Sequence, residues 1–430
     1  MLALLRTRRF GPLFATQFLG AFNDNLFKTA MLFAITFRLL AGDLAASAAL
    51  VTAAAGVFIL PFFLFSGLAG QLSDAVDKAA VMRWVKLAEL AILAVGGLGL
   101  WLGSIPLLFA VLFAMGCHST VFGPVKYAVL PQHLEPRELL GGTGLVEGGT
   151  FVAILLGQIA GGLLPTPWAA GAMLGAALLG IAASRAIPPA PPLGEVLPLT
   201  WNPWTATRRV LAGAFGSRRV WRATLAISWF WALGAIYTSQ FVPLVKGTLA
   251  ASEAVATLFL TVFTIGIAVG AGGVSRLLGG HISARAAPWA AAVMAAASLD
   301  LMVAVAAALP GSAPGVAAFV AQPGHWRIIA DLFVLAAAGG VFSVPLYAIL
   351  QTASGAAARS STIAANNIVN AAFQVAGTLL AGFAVARGVP IAVVLGLSGA
   401  TALLLWPLLA RLDAGGGAAD TGRSIGETTS

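Results

Sequence analysis

Charge is what this chain has least of. Only 9% of its 430 residues are Asp, Glu, Lys or Arg, where soluble domains run near a quarter. With 59% hydrophobic residues and a mean hydropathy of +0.94, that shortage excludes a soluble globular domain and points to a polytopic membrane protein. Cysteine is nearly absent: Cys117 stands alone, so no intramolecular disulfide can form. Histidine is scarce as well. His118 has no second ligand at metal spacing, so no metal site is expected and the residue reads as structural or as a minor cavity residue. No nucleophile–base pair, metal cluster or phosphate loop is present, so neither catalysis nor a cofactor is expected. Long basic runs are missing too. A net charge of +9 would suit nucleic acid, but the arginines are scattered over loops, the pattern of the positive-inside rule, which excludes a nucleic-acid partner.

What the chain does have is apolar segments long enough to cross a hydrocarbon core of roughly 30 Å. They fall near 12–37, 49–70, 81–102, 106–130, 139–164, 168–187, 222–245, 252–278, 285–309, 327–351, 361–386 and 389–410. Arg6, Arg8 and Arg9 precede the first of them without a small-residue cleavage site at the right distance, so a retained helix is expected and not a signal peptide. With the N-terminus in the cytoplasm, only Arg38, Lys246, Arg327 and Arg387 among the loop cations fall outside, so both termini are expected to be cytoplasmic. The expected division is a six-helix half over 1–187, a cytoplasmic linker over 188–221, a second six-helix half over 222–411 and a disordered tail over 412–430. The linker opens with Pro188, Pro189, Pro191 and Pro192. It carries Arg208–Arg209 and Arg218–Arg219, a basic surface suited to anionic lipid.

The first span interrupts its apolar run with QFLGAFNDNLFKTA, residues 17–30. Charge at the bilayer centre costs roughly 2.5–3.5 kcal/mol on insertion scales, so Asn23, Asp24, Asn25 and Lys28 must face protein or a wet cavity. At about 100° per residue, Gln17, Gly20, Asp24 and Lys28 share one helix face. Asp24 and Lys28 are spaced to pair with each other. Such a pair either locks helix packing or lines a translocation path, and the crowd of amides favours the path.

The chain also repeats itself. Val121-Phe122-Gly-Pro-Val-Lys-Tyr127-Ala128 recurs as Val341-Phe342-Ser-Val-Pro-Leu-Tyr347-Ala348, and the same spacing carries Gly157 onto Gly377 and Gly162 onto Gly382. Leu19-Gly20-Ala21 matches Leu233-Gly234-Ala235 at a slightly different offset. Matches in corresponding spans favour an all-α polytopic membrane protein of twelve transmembrane helices in two six-helix pseudo-repeats, the major facilitator fold. By this register the charged Asp24, Lys126 and Glu147 meet neutral Thr238, Leu346 and Asn367, which suggests ionised groups in the first half and neutral polar ones in the second.

Further residues qualify as site candidates. Lys126 and Glu147, on consecutive spans near their cytoplasmic connection, suit either an inner-gate ion pair or contact with a substrate head group. Lys86 and Glu89 read as a shallow local pair with snorkelling. Asn366, Asn370 and Gln374 form an amide stripe in the eleventh span, either interhelical glue or a ligand-lined surface. Trp229, inside the seventh span, is placed to line a cavity. Trp84, Trp101, Trp168, Trp289, Trp326 and Trp406 sit near span ends as interfacial anchors. Gly157, Gly161 and Gly162 in the fifth span, and Gly266, Gly270, Gly272 and Gly273 in the eighth, mark tight packing or places where helices part for an acyl chain.

Gly70-Gln-Leu-Ser73-Asp74 followed by Lys78 resembles the signature cytoplasmic loop of the major facilitator superfamily, Gly-x-Leu-x-Asp-Arg, with Ala75 in place of the arginine. The resemblance implies a gating role for Gly70, Asp74 and Lys78, with Asp74 facing a helix N-terminus or a basic partner. QFLGAFNDNLFK (17–28), FGPVKYAVLP (122–131), GLVEGGTFVAILLGQIAGG (144–162), ISWFWALGA (227–235) and VPLYAILQ (344–351) make the chain similar to the lysophospholipid transporter family of that superfamily over about residues 10–411. What this implies is movement of lyso-phosphatidylethanolamine or lyso-phosphatidylglycerol from the outer to the inner leaflet of the bacterial cytoplasmic membrane by alternating access. A separate acyltransferase would then restore the second chain. Asn23, Asp24, Lys28, Lys126, Glu147, Trp229, Asn366, Asn370 and Gln374 are the substrate-binding candidates. The alternative is proton-coupled transport of a drug or metabolite, with Asp24 or Glu147 carrying the proton.

Overall fold

The computed structural model describes residues 2–40, 43–194, 198–311 and 315–414. From residue 415 onward the tail expected at 412–430 lies outside the described residues. Its first residues continue a helix, Trp406–Ala414. Among the described residues there is no strand, and eleven helices are long and apolar enough to cross a membrane. The first long helix, α1 (Gly11–Ala34), is kept below that apolarity by its amides and its two charges. At about 1.5 Å per residue its 24 residues still span the core. The chain is a multi-pass membrane protein.

Helices α2 (Leu44–Ala75), α3 (Lys78–Leu102), α4 (Ile105–Ala128), α5 (Pro136–Leu163) and α6 (Thr166–Arg185) follow. Their ends are written in local chemistry. Asp77 caps α3 by accepting the Ala80 N–H at 2.8 Å, and Gly103 ends it with φ at 65°, a conformation that favours glycine. At the start of α5, Glu138 accepts the Glu135 N–H at 3.0 Å and a forked pair of bonds from Arg9 at 2.5 and 2.6 Å. The expected linker contains a helix of its own, α7 (Pro203–Phe215), which the sequence reading does not anticipate. It lies on α2 so closely that a Cβ on Gly67 would stand 2.5 Å from the Thr207 nitrogen. The remaining elements are α8 (Arg218–Pro243), α9 (Glu253–Leu277), α10 (Ala287–Ala307), α11 (Pro323–Ala353), α12 (Arg359–Ala386), α13 (Ile391–Ala400) and α14 (Trp406–Ala414).

The chain falls into two compact units, residues 1–215 with 354–371, and 216–353 with 372–430. Helix α12 contributes its first part to one and the rest to the other. In the first unit α1 packs on α5, α2 on α4 and α3 on α6. In the second, α9 packs on α11 and α10 on α13, while Gly377 sets α12 against Ala232 and Ile236 of α8. The pairings of second with fourth and third with sixth helix therefore occur in both, and the first and fifth helices of the second unit approach each other at Gly377.

Glycine makes these contacts close. A Cβ on Gly157 would lie 2.4 Å from the Phe22 carbonyl oxygen, one on Gly161 2.5 Å from that of Leu26, and one on Gly270 1.9 Å from that of Ala337. Gly266 is likewise closed by Ala336 and Phe333. These four glycines are backbone-to-backbone packing residues, which removes them as points where helices part. Gly273 has open space beyond it. The six span-end tryptophans are exposed, as interfacial anchors must be.

Candidate functional site

The polar stretch of α1 faces three neighbouring helices at once. Asn23 is fully buried and donates from Nδ2 to Glu89 Oε1 of α3 at 2.7 Å. Asp24, half-buried, accepts from Ser119 Oγ of α4 at 2.5 Å. Lys28, also half-buried, sets its ammonium 4.2 Å from the centroid of the Phe58 ring of α2, a cation–π contact. The anticipated Asp24–Lys28 ion pair is not made: each side chain leaves the shared face toward a different helix. Asn25 turns its amide back onto the Ala21 carbonyl at 2.8 Å and lies beside Gly157, a packing position.

Lys126 and Glu147 do not pair with each other either. Glu147 is buried and accepts from the Tyr127 hydroxyl. Lys126, half-buried, lies 3.5 Å from Thr150 Oγ1 and over the Tyr127 ring. Thr150 Oγ1 in turn stands 2.9 Å from Gln17 Oε1, which links α5 to α1. Asp24, Lys28 and Lys126 are thus three ionisable groups on one polar seam, each short of an opposite charge at contact distance.

Behind that seam lies the largest departure from the sequence reading. Lys86 and Glu89 are not shallow and do not snorkel: both are fully buried. They form an ion pair, and His118 Nε2 stands 3.2 Å from Glu89 Oε2. Glu89 therefore collects Asn23 from α1, Lys86 from its own helix and His118 from α4. Two glycines shape the slot for the ammonium. A Cβ on Gly180 of α6 would meet Lys86 Cε at 2.5 Å, and one on Gly20 of α1 would meet Nζ at 3.3 Å. Among the described residues no group of His, Cys, Asp and Glu could hold a metal ion.

At the α2–α3 turn, Asp74 accepts the Ser360 N–H at 2.8 Å and the Ser361 N–H at 2.9 Å. Its carboxylate thus sits on the positive end of α12, and these bonds tie the start of that helix to the first unit. Gly70 leaves no room beside it, since a Cβ there would stand 2.7 Å from Ala364 Cβ. Lys78 is buried, its N–H donating to the Ala190 carbonyl at 2.9 Å. On α12, Asn366 is fully buried, and among the described residues neither amide atom has a hydrogen-bond partner. Asn370 is buried and Gln374 half-buried.

In the second unit, Trp229 donates to Thr401 Oγ1 at 2.8 Å and meets Phe342 edge to face. This unit is not the neutral one that the repeat suggests. Arg327 of α11 forks onto Asp300 of α10, with Nε donating to Oδ2 at 2.8 Å and Nη2 to Oδ1. Asp331, buried one turn further along α11, interacts with Asp300. These charges have no counterpart in the repeated motifs and so escape a comparison of halves.

Two compact helical units with charges held inside apolar helices are the architecture of a polytopic transporter-type membrane protein. The chain matches the model of the Major Facilitator Superfamily over residues 13–378 and belongs to that superfamily. It is similar to a protein described as lysophospholipid transporter LplT from Serratia proteamaculans, 29% identical over 363 residues and 81% of each chain. It is also similar to one so described from Photorhabdus laumondii, 28% identical with 81% of each chain covered. Among solved structures it shares its fold with the human organic anion transporter MFSD10, at a TM-score of 0.74 and 16% identity, covering 94% of this chain and 98% of the other. A bacterial homologue of the iron transporter ferroportin in an outward-facing state aligns at a TM-score of 0.64 and 13% identity, with 94% and 99% covered.

Proposed function

We propose that this protein is a lysophospholipid transporter of the bacterial cytoplasmic membrane, carrying one-tailed lipids from the outer to the inner leaflet by alternating access, with both termini cytoplasmic. The observation that supports it best is the polar seam, where Asp24, Lys28 and Lys126 are half-buried and no ion pair joins them. A lyso-phosphatidylethanolamine head offers an ammonium and a phosphate, the complement of one carboxylate and two ammonium groups. Asp24 receives the ammonium, and Lys28 or Lys126 the phosphate. Asn23 holds the seam's α1 edge in place, and the buried Glu147 is a further contact within the first unit. Gly70, Asp74 and Lys78 serve the gate, where release of the α12 N-terminus from Asp74 accompanies opening. A separate acyltransferase consumes the product.

The test is uptake of fluorescent lyso-phosphatidylethanolamine by proteoliposomes, with a labelled drug panel as the contrast. Lysolipid movement above protein-free vesicles is the expected result. Transport of a soluble compound without lysolipid movement would assign the chain to drug or metabolite transport.

A further inference from the structure

The linker helix α7 lies against α2 and shows two unlike sides. Ala206, Val210 and Ala214 are buried, at the four-residue spacing of one helix face. At about 100° per residue, Trp204, Arg208, Leu211 and Phe215 fall within about 60° of one another on a different edge. Trp204 is 79% exposed, Arg208 and Phe215 are exposed, and Leu211 is half-buried. Trp201, just ahead of the helix, is exposed as well. Arg209 is turned away from this edge: its Nη1 donates to the Pro198 carbonyl at 2.9 Å. Of the arginine pair, Arg208 is therefore the one among the apolar side chains.

The helix is held in place at its start and along its buried face. Asn202 Oδ1 accepts the Trp204 N–H at 3.0 Å and the Thr205 N–H at 3.2 Å. The Thr200 N–H donates to Gln71 Oε1 of α2 at 3.0 Å, and Gly67 leaves no room for a Cβ beside the Thr207 backbone. Gly67 stands eight residues before the end of α2 at Ala75, about 12 Å along the axis at about 1.5 Å per residue. The 32 residues of α2 measure about 48 Å on the same scale. A bilayer is roughly 30 Å thick in its hydrocarbon core and about 40–45 Å with its head groups. The contact with α7 thus falls where the core gives way to the head groups. An edge of Trp, Leu and Phe around an arginine suits that layer, where apolar carbons and phosphates are found together.

We propose that the edge formed by Trp204, Arg208, Leu211 and Phe215 is a binding surface for anionic phospholipid of the cytoplasmic leaflet. The rings and Leu211 lie against the upper acyl carbons, and the Arg208 guanidinium donates to the lipid phosphate. A zwitterionic lipid carries its own cation beside that phosphate, so a lipid without one is favoured. The bound lipid holds the linker against α2, one turn from Gly70 of the proposed gate. This lipid is a component of the membrane and not the cargo, so the proposal stands apart from the lysolipid reading. Only the leaflet rests on the cytoplasmic placement of the termini.

The experiment uses the full chain labelled with fluorotryptophan in phosphatidylcholine nanodiscs. The Trp204 fluorine resonance is the one lost in Trp204→Phe. Trace phosphatidylglycerol or phosphatidylcholine is added with a nitroxide high on its acyl chain. The phosphatidylglycerol probe should broaden the Trp204 resonance about fivefold more than the phosphatidylcholine probe, as one arginine at an anionic lipid gives. In Arg208→Gln the two probes should broaden it equally. Both substitutions change exposed side chains and remove no core contact. Nanodiscs present the same lipids on both faces, so the result does not depend on orientation or on transport. Equal broadening in the unmodified chain, or a preference that survives Arg208→Gln, overturns the proposal. Broadening by a water-soluble nickel chelate and by neither lipid also overturns it, since the edge would then face water and a soluble partner. Inorganic phosphate should leave the lipid-induced broadening unchanged. Its loss on adding phosphate would assign the site to a free anion and overturn the lipid proposal.

Discussion

Gly180 and Lys86 occupy the same space: a Cβ on the glycine would stand 2.5 Å from Cε of the lysine and 3.0 Å from Nζ. The absence of a side chain on α6 is therefore what lets an ammonium lie inside the first helical bundle. Gly180→Val should push Lys86 off Glu89 and lower stability by about 1–3 kcal/mol, the usual cost of overpacking. Thermal unfolding in detergent measures it. An unchanged midpoint would mean that the ammonium has another place to go.

Breaking the Lys86–Glu89 pair one partner at a time leaves a buried charge without the ion it pairs with. Lys86→Met and Glu89→Gln should each cost about 3–5 kcal/mol, and the double variant should cost less than either. Additive losses in a double-mutant cycle would show that the two groups are not coupled.

Asp74 caps α12 with two backbone bonds. Asp74→Ala removes both acceptors and the charge at a helix N-terminus, at about 1–2 kcal/mol. Asp74→Asn keeps one acceptor and should lose less. Hydrogen exchange over residues 359–365 should rise in the order Asp, Asn, Ala. Identical exchange in all three would remove the cap from any account of gating.

Asp24→Asn keeps an acceptor for Ser119 and discards the charge. It should leave the unfolding temperature within a few degrees while lowering lyso-phosphatidylethanolamine uptake at least tenfold, since a hydrogen bond to a charged group contributes about 1.5–3 kcal/mol. Full uptake by the variant would show that the carboxylate does not meet the head group.

Gly270→Leu drives a side chain into the Ala337 backbone, so the loss belongs to folding and not to substrate entry. Uptake of long-chain and short-chain lysolipids should fall together, in step with the amount of folded protein. A selective loss for long chains would return this glycine to the acyl path.

Much of this molecule is legible before any fold is known. Apolar runs against sparse charge identify a polytopic helical membrane protein, because a lipid-embedded backbone must satisfy its own hydrogen bonds. The recurrence of VFGPVKYA as VFSVPLYA announces two related halves, and Asn23, Asp24 and Lys28 stand out because charge in hydrocarbon is costly. The Gly70–Asp74 loop is visible as a motif, and its carboxylate meets a helix N-terminus in the structure.

What the sequence alone does not decide is which polar groups find one another, since that depends on helix rotation and on contacts far apart in the chain. Asp24 and Lys28 have the spacing of a pair, yet they take Ser119 and Phe58 from α4 and α2 instead. Lys86 and Glu89 look like a surface pair from their spacing on α3. They are buried because Gly20 and Gly180, on two other helices, open a slot that no local pattern records. Asp300, Arg327 and Asp331 converge from α10 and α11, although no motif joins them. Composition and period determine that a segment spans the membrane. The tertiary structure alone determines what its charges touch, because a buried charge is stabilised only by groups that reach within a few ångströms of it.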